Sequence, residues 1–263
     1  MKSVVFLGGG RIASALCAGL RLAGYRAPII VHGRDRQKLR ELERRYGVTA
    51  EPDLQRAVAQ AKILIIAVRP ASVASLLKGI GPIRRPLTAV SLAAGIPLKN
   101  LRAHLGPPVR WARAMPSPAC RSGRGLTALT FGPNATQRFR TGVKSLFARV
   151  GPVLEVPESK FDAFTVTYSC SHGYHALAAL AEAGEKVGLD RKTALAAAAH
   201  ALADGIIAWR EGGLSLEDLL HEAATPGGIA AAVMSAMDKR GYRQAVQAGL
   251  RAGIVRARAN SKS

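Results

Sequence analysis

Val4–Leu20 reads VVFLGGGRIASALCAGL, and the rest of the chain can be ordered around it. Val4-Val5-Phe6-Leu7 is a fully apolar run, the kind that fills a central strand buried on both faces. It breaks into Gly8-Gly9-Gly10, after which Ile12, Leu16 and Leu20 recur at four-residue spacing, as on one side of a helix. Gly8, Gly10 and Ala13 satisfy the spacing G-x-G-x-x-A. The chemistry explains the residue types: one glycine makes the tight turn, a second lets a pyrophosphate approach backbone N–H groups, and a third small residue lets helix and strand lie close. The phosphates then sit at the positive end of the helix that opens near Arg11. This reading makes Gly8, Gly10, Arg11, Ile12 and Ala13 cofactor-binding residues of a dinucleotide site. The plainer alternative is a glycine turn in an α/β protein that binds no nucleotide.

The chain has 263 residues, enough for one large domain or two modest ones, and its 48% hydrophobic content is that of a globular protein. It contains no uncharged apolar run of about 18 residues, so no membrane span is expected. The N-terminus runs directly into a strand without a signal-peptide pattern. Cys17, Cys120 and Cys170 lie far apart, without metal or redox spacing, which suits free thiols in a reducing cytoplasm. No metal is expected. The net charge of +21 reads as an arginine-rich solvated surface that also attracts an anionic cofactor and substrate. No aromatic-basic interleaving or zinc-finger spacing is present, so no nucleic-acid partner is expected.

Pro28–Val31 reads as a second strand, continuing into His32-Gly33-Arg34-Asp35-Arg36. An acid directly at that strand end would bond a ribose 2′-OH, whereas arginines accommodate a 2′-phosphate. No acid comes before Asp35, and arginines flank it, so Arg34 points to NADPH rather than NADH. The alternative is that Arg34 and Arg36 serve only the start of a polar helix, Gln37–Tyr46. Lys62–Val68 is another apolar strand, ending in Arg69-Pro70, with a helix over Ala71–Leu77. Leu87–Leu92 and Val109–Arg113 are further strands. Leu126–Phe131 and Val153–Val156 finish the sheet around a helix at Thr136–Val150. Strands alternating with helices predict a doubly wound parallel sheet over residues 1–157. From about Ser159 strand signals vanish and alanine becomes dense. Helices are expected at 160–187, 191–211, 215–223, 228–239 and 242–260, forming an all-α domain over 158–263 that pairs with a second chain.

The order of motifs resembles the pyrroline-5-carboxylate reductase family, over nearly the whole chain from Val4 to about Arg256. The resemblance rests on FLGGGRIASAL (6–16), AVRP (67–70), SLAAGI (91–96), RAMPSP (113–118), GRGLTAL (123–129), FDAFT (161–165) and TPGGIA (225–230). It implies an N-terminal Rossmann domain, a C-terminal helical dimerisation domain and an active site at their junction. It also implies hydride transfer from a nicotinamide to the C=N carbon of a cyclic imine, giving proline. Ala67, Val68, Arg69, Pro70, Ala93, Ala94 and Met115 join the cofactor-binding set by the same resemblance.

The chain departs from the family in its substrate motifs. Ser117 stands where the family usually has asparagine after Met-Pro. Tyr168-Ser169-Cys170-Ser171-His172 replaces a Ser-Gly-Ser-Gly-Pro segment whose glycines open backbone N–H groups to a carboxylate. Ala230 replaces a threonine after Pro226-Gly227-Gly228, and an alanine side chain neither donates nor accepts a hydrogen bond. Ser117, Ser171, Gly228 and Ala230 are therefore the expected substrate-contacting positions, with the pocket altered. Imine reduction also needs a protonated nitrogen, and a pyrroline nitrogen can carry its proton from water. His172 and Tyr168 are the candidate catalytic donors, four residues apart and able to share a helical face, with Tyr174 and His175 nearby. The alternative is that these side chains only pack. Arg113 is read either as facing a substrate carboxylate or as a surface charge, and Arg121 and Arg124 as loop charges. Three functions remain open: a pyrroline-5-carboxylate reductase, a reductase of another imine or carbonyl compound, and a non-catalytic NADP-binding protein.

Overall fold

The computed structural model describes residues 2–261, without the side chain of Cys170. Through its first part strands and helices alternate: β1 (Val4–Leu7), α1 (Arg11–Leu22), β2 (Ile29–His32), α2 (Arg36–Tyr46), β3 (Thr49–Ala50), α3 (Leu54–Ala59), β4 (Ile63–Ile66), α4 (Val73–Ile80), β5 (Leu87–Ser91), α5 (Leu98–His104), β6 (Val109–Pro116), β7 (Thr127–Phe131), α6 (Gln137–Phe147) and β8 (Val153–Glu155). The strands form one sheet in the order β3-β2-β1-β4-β5-β6-β7-β8. Strands β1 to β6 are mutually parallel, β7 runs against β6, and β8 runs with β7. The strand order reverses beside β1, where doubly wound sheets bind ligands.

Burial explains why β1 shows no apolar-polar alternation. Val4 and Phe6 belong to the core on one face of the sheet, with Leu16, Leu20, Ile29 and Val31. Val5 and Leu7 belong to the core on the other, with Ile30, Leu64, Ile66 and Leu77. All four are 0% exposed, so each contributes about 1.5–3 kcal/mol of burial. Three elements were not read from the sequence. Strand β3 has 2 residues and α3 has 6, too few for a period to show. The third, α5, has 7 residues.

Six helices follow: α7 (Glu158–Thr167), α8 (Cys170–Lys186), α9 (Arg191–Gly212), α10 (Leu216–Ala223), α11 (Ile229–Lys239) and α12 (Tyr242–Asn260). The single helix expected over 160–187 is two helices. Thr165 and Thr167 turn their hydroxyls back to the carbonyls of Phe161 and Ala163, and the run Thr165-Val166-Thr167 is β-branched throughout. Ser169 then adopts an extended backbone, φ −62° and ψ 120°, at the N-cap of α8.

The chain forms two compact units, Met1–Thr167 with Gly253–Ser263, and Tyr168–Ala252. This division differs from the composition change at 157/158, because α7 is fastened to the sheet unit. Phe161 is buried there with Ala128 and Val156, and Arg113 of β6 pairs with Glu158 and Asp162. The last turns of α12 also belong to the sheet unit. Asn260 donates to Ala94 O at 3.2 Å, and Asn100 donates to Ser261 O at 2.7 Å. Gly95 sits so close to α12 that a Cβ there would lie 2.4 Å from Ala257 O.

The second unit is different in kind. Its buried residues are Ala181, Ala194 and Ala198 among those described, and α8 and α9 approach closely where Gly184 faces Ala194. Asp190 caps α9 and Ser215 caps α10, each accepting from the first-turn amides. No helix is long and apolar enough to cross a membrane among the described residues.

Candidate functional site

The turn after β1 opens a cleft of ≈ 550 Å³ lined by Gly8, Gly9 and Gly10, by His32 at the end of β2 and Gly33 to Asp35 after it, and by Ala67, Val68 and Arg69 after β4. Three strand ends thus converge on one edge of the sheet. Gly8 has φ +115°, and a Cβ there would lie 2.4 Å from Ala67 O, so the turn admits only glycine. Its amide donates to His32 O at 2.8 Å, which ties the turn to β2. Gly10 is the N-cap of α1 in an extended conformation, with no side-chain hydrogen bond, and a Cβ there would meet nothing within 4 Å. The first amides of α1 therefore face open space rather than a side chain. This is the arrangement a phosphate needs: bare N–H groups at a helix N-terminus with nothing standing over them.

At the end of β2 the acid is engaged. Asp35 caps α2, accepting from Gln37 N and Lys38 N, both at 3.1 Å, and pairs with Lys38 Nζ at 3.2 Å. Those bonds, first of all the one from the Lys38 amide, hold its carboxyl below the usual range. The helix start is thus capped by Asp35, not by the arginines. Arg34 is exposed and lines the cleft with Lys38, which the sequence reading did not single out, while Arg36 is not among the lining residues.

The other expected cofactor residues scatter. Arg11 is exposed on the first turn of α1, Ile12 is half-buried, and Ala13 is 0% exposed beneath the turn. Pro70 lines a separate hollow with Asn100 and His104. Ala93 is buried with Ile96 and Ala89, and Ala94 supports α12 through its carbonyl. Met115 packs against Ala128 and Phe161. None of Arg11, Ile12, Ala13, Pro70, Ala93, Ala94 or Met115 lines the cleft.

Ser117 is 5% exposed and its hydroxyl accepts from Ala119 N at 3.1 Å, capping the short 3-10 turn Pro118–Ser122. Arg113 is neither of the things expected of it. It is 1% exposed, donates to Glu158 Oε1 at 3.1 Å and Asp162 Oδ1 at 2.6 Å, and lies 4.6 Å over the Phe161 ring. Glu158 Oε1 also accepts from Leu98 N at 2.9 Å, so one carboxylate joins β6, α5 and α7. A buried guanidinium with two carboxylates already on it is a clamp, not a free anion receptor. Arg121 reaches Tyr46 Oη at 2.8 Å and the Ser14 hydroxyl at 3.4 Å, so it too has more than solvent around it.

Tyr168 lies in the break between α7 and α8 and His172 in the first turn of α8, so the two do not share a helical face. Ser169 and Ser171 hydroxyls are 2.7 Å apart, and Ser169 at the N-cap makes no side-chain bond to the helix amides. His172, Tyr174 and His175 are exposed. Gly228 is the N-cap of α11, its amide held by Thr225 O at 2.9 Å, and Ala230 is exposed on the first turn. Cys17 and Cys120 are free, and burial pushes their thiols up to about 12 and about 11, which makes them inert near neutral pH. The Cys170 thiol lies outside the described residues. No group of three or more potential metal ligands occurs among the described residues.

Comparison with known proteins adds a family to this geometry. Residues 3–95 match the family described as NADP oxidoreductase coenzyme F420-dependent, and residues 158–260 match the family described as pyrroline-5-carboxylate reductase dimerisation. The pyrroline-5-carboxylate reductase of Thermus thermophilus is 34% identical over 260 residues, covering 95% of this chain and 97% of its own. That of Corynebacterium melassecola is 32% identical over 254 residues, covering 93% of each. The crystal structure of the Plasmodium falciparum pyrroline carboxylate reductase with NADP bound superposes with a TM-score of 0.87 at 20% identity, covering 99% of this chain and 98% of its own.

Proposed function

The chain belongs to the pyrroline-5-carboxylate reductase family, and we propose that it is an NADPH-dependent reductase that converts pyrroline-5-carboxylate to proline. The observation that carries this is the glycine turn: Gly8 is pinned against Ala67 O and Gly10 leaves the first amides of α1 uncovered, at the mouth of a ≈ 550 Å³ cleft. The residues present fit a pyrophosphate with an adenosine half alongside. When bound, the reduced nicotinamide supplies the hydride that adds to the C=N carbon.

The chain's own residues do the rest. The α1 amides neutralise the phosphates, and Arg34 with Lys38 faces the 2′-phosphate that distinguishes NADPH from NADH. Asp35 lines the cleft too and keeps its negative charge, which Lys38 offsets at 3.2 Å, so Arg34 is the cation at that strand end left without an acidic partner among the described residues. His172 or Tyr168 contacts the substrate, and either hydroxyl or imidazole holds the proton that the product nitrogen needs. Ser171, Gly228 and Ala230 shape the substrate pocket. Positioning supplies much of the rate, since the pyrroline nitrogen is readily protonated before hydride arrives. The C-terminal helices pair two copies of the chain. The free thiols Cys17 and Cys120 support a cytoplasmic location.

A second reading is favoured by the altered substrate motifs. With Ala230 in the threonine position and Tyr168–His172 in place of a glycine-rich segment, a different cyclic imine or a carbonyl compound becomes the substrate on the same scaffold. One experiment separates the readings: NADPH oxidation assayed with pyrroline-5-carboxylate and with a panel of cyclic imines and keto acids. Oxidation with pyrroline-5-carboxylate supports the first, and activity only on others supports the second. Tight NADPH binding without turnover on any of them refutes both and leaves a binding protein. Replacing His172 by Ala without loss of kcat/KM removes that side chain from the mechanism.

A further inference from the structure

The net charge is concentrated in one unit. Residues 1–167 and 253–263 hold 30 of the 38 Lys and Arg against 8 carboxylates, while residues 168–252 hold 8 against 9. Residues 54–154 contain 16 Lys and Arg and no Asp or Glu. Anion attraction at the cofactor cleft accounts for cations near the C-terminal ends of the strands. It does not account for those at the opposite edge, a strand length away, ~13 Å for four residues.

At that opposite edge the parallel strands begin in register. Val4 pairs with Ile29 and Ile63, Ile63 with Thr88, and Thr88 with Arg110. Each of the six parallel strands carries an exposed cation on this line or a few residues upstream of it. In spatial order they are Arg44 before β3, Arg26 before β2, Lys2 before β1, Lys62 before β4, Arg84 before β5 and Arg110 in β6. At ~4.8 Å between strands, the starts of the six strands span ~24 Å along this edge. None of the six is in an ion pair among the described residues. The nearest acids on α2 are engaged elsewhere, Glu41 with Arg45 and Glu43 with the Ala50 amide.

The usual structural task for a cation at this edge is to cap helix carbonyls. Two other arginines do that here. Arg21 donates to the carbonyls of Tyr25, Ala27, Tyr46 and Gly47, and Arg85 donates to those of Val58 and Ala59. The six remaining cations have no such contacts among the described residues. The sheet unit also exposes few large apolar side chains, Leu22, Leu154 and Val255 among those described, so this edge lacks the apolar insertion a membrane surface requires.

We propose that this edge of the sheet is a docking surface for the phosphate backbone of double-stranded nucleic acid. A duplex presents one charge per ~1.7 Å of axis, about 14 over that length, with roughly half facing one side. Six cations along this edge match that half in number. The contact reads charge and not bases, so it departs from the expectation that the absence of base-recognition motifs leaves the chain without a nucleic-acid partner.

The test is fluorescence anisotropy of a short labelled DNA duplex of arbitrary sequence, titrated with the full-length protein across a salt series. Six phosphate contacts give a slope of log K against log[salt] near −5, a loss of affinity of about a thousandfold between about 50 and about 200 mM salt. The quadruple variant Lys2→Gln, Lys62→Gln, Arg84→Gln, Arg110→Gln is expected to reduce the magnitude of that slope by about 3.6 and to leave NADPH affinity unchanged. Exchanging the same four positions Lys for Arg and Arg for Lys keeps the charge and is expected to restore the slope. Absence of duplex binding at low salt overturns the proposal. So does binding that the glutamine variant leaves intact, or tighter binding to vesicles containing phosphatidylglycerol than to the duplex.

Discussion

The two units bury their apolar residues in opposite ways. The sheet unit hides nearly all of its large apolar side chains, leaving Leu22, Leu154 and Val255 exposed among those described, whereas the helical unit exposes 16, including Ile206 at 55% and Trp209 at 46%. A sheet sandwiched between helices closes its core within one chain. Helices rich in alanine do not: α8 and α9 meet through Gly184 and Ala194, and the larger side chains face outward. Such a surface belongs against another chain, as the dimerisation family over residues 158–260 indicates. One unit is therefore complete alone and the other is half of a core.

The strongest test of that contrast is the double substitution Ile206→Lys, Ile207→Lys on α9. Each isoleucine has about half its surface left to bury, worth about 1 kcal/mol, and a two-fold interface counts each twice, so about 4 kcal/mol is lost from association. Light scattering is expected to report a monomer, with activity lost. An unchanged dimer would show that these residues face water in the assembly, and the contrast between the units would fail at α9.

Next in size is Gly8→Ala in the sheet unit. The added Cβ would meet the Ala67 carbonyl at 2.4 Å, and φ +115° is strained for any side chain. Backbone has to move in the middle of a parallel sheet, so unfolding free energy is expected to fall by about 3 kcal/mol and NADPH binding to vanish. A variant with wild-type thermal stability and cofactor affinity would mean the turn is looser than drawn. Arg113→Met follows. It leaves Glu158 and Asp162 without their cation, but both carboxylates are 32% exposed in their side chains, which softens the penalty to about 3 kcal/mol at most. Chemical denaturation checks the loss, and a variant as stable as wild type would show that methionine packing on Phe161 replaces the ion pairs.

Much of the sheet unit was readable because its signals are local. Val4–Leu7 is apolar at every position, since both faces are covered, and the glycines follow immediately. Strand β3 and the antiparallel setting of β7 were not readable, because two residues carry no period and strand direction is not written in side-chain type. Arg113 was misread for a related reason: its partners Glu158 and Asp162 lie 45 and 49 residues away, and only tertiary contact reveals them. The break at Tyr168-Ser169 was hidden because residues on both sides form helix. Nor did the sequence tell that Asp35 caps α2 and pairs with Lys38, which leaves Arg34 as the cation without an acidic partner at that strand end among the described residues.

Gly10→Ala separates folding from binding within the sheet unit, and its effect on stability is the smallest. The added methyl meets nothing within 4 Å, and φ −77° suits alanine. Alanine is a poorer N-cap than glycine by about 0.5–1 kcal/mol, while the lost freedom of the unfolded chain favours the variant by about 0.4–1 kcal/mol. The two nearly cancel, so the melting temperature is expected to stay within a few degrees of wild type. In the binding mode proposed above the same methyl stands where a pyrophosphate approaches the α1 amides, and NADPH affinity measured by calorimetry is expected to drop by about tenfold or more, about 1.4 kcal/mol. Equal affinity in the variant and wild type would mean the phosphates do not rest on this turn. Gly8 would then be a structural glycine alone, and the ≈ 550 Å³ cleft would need another occupant.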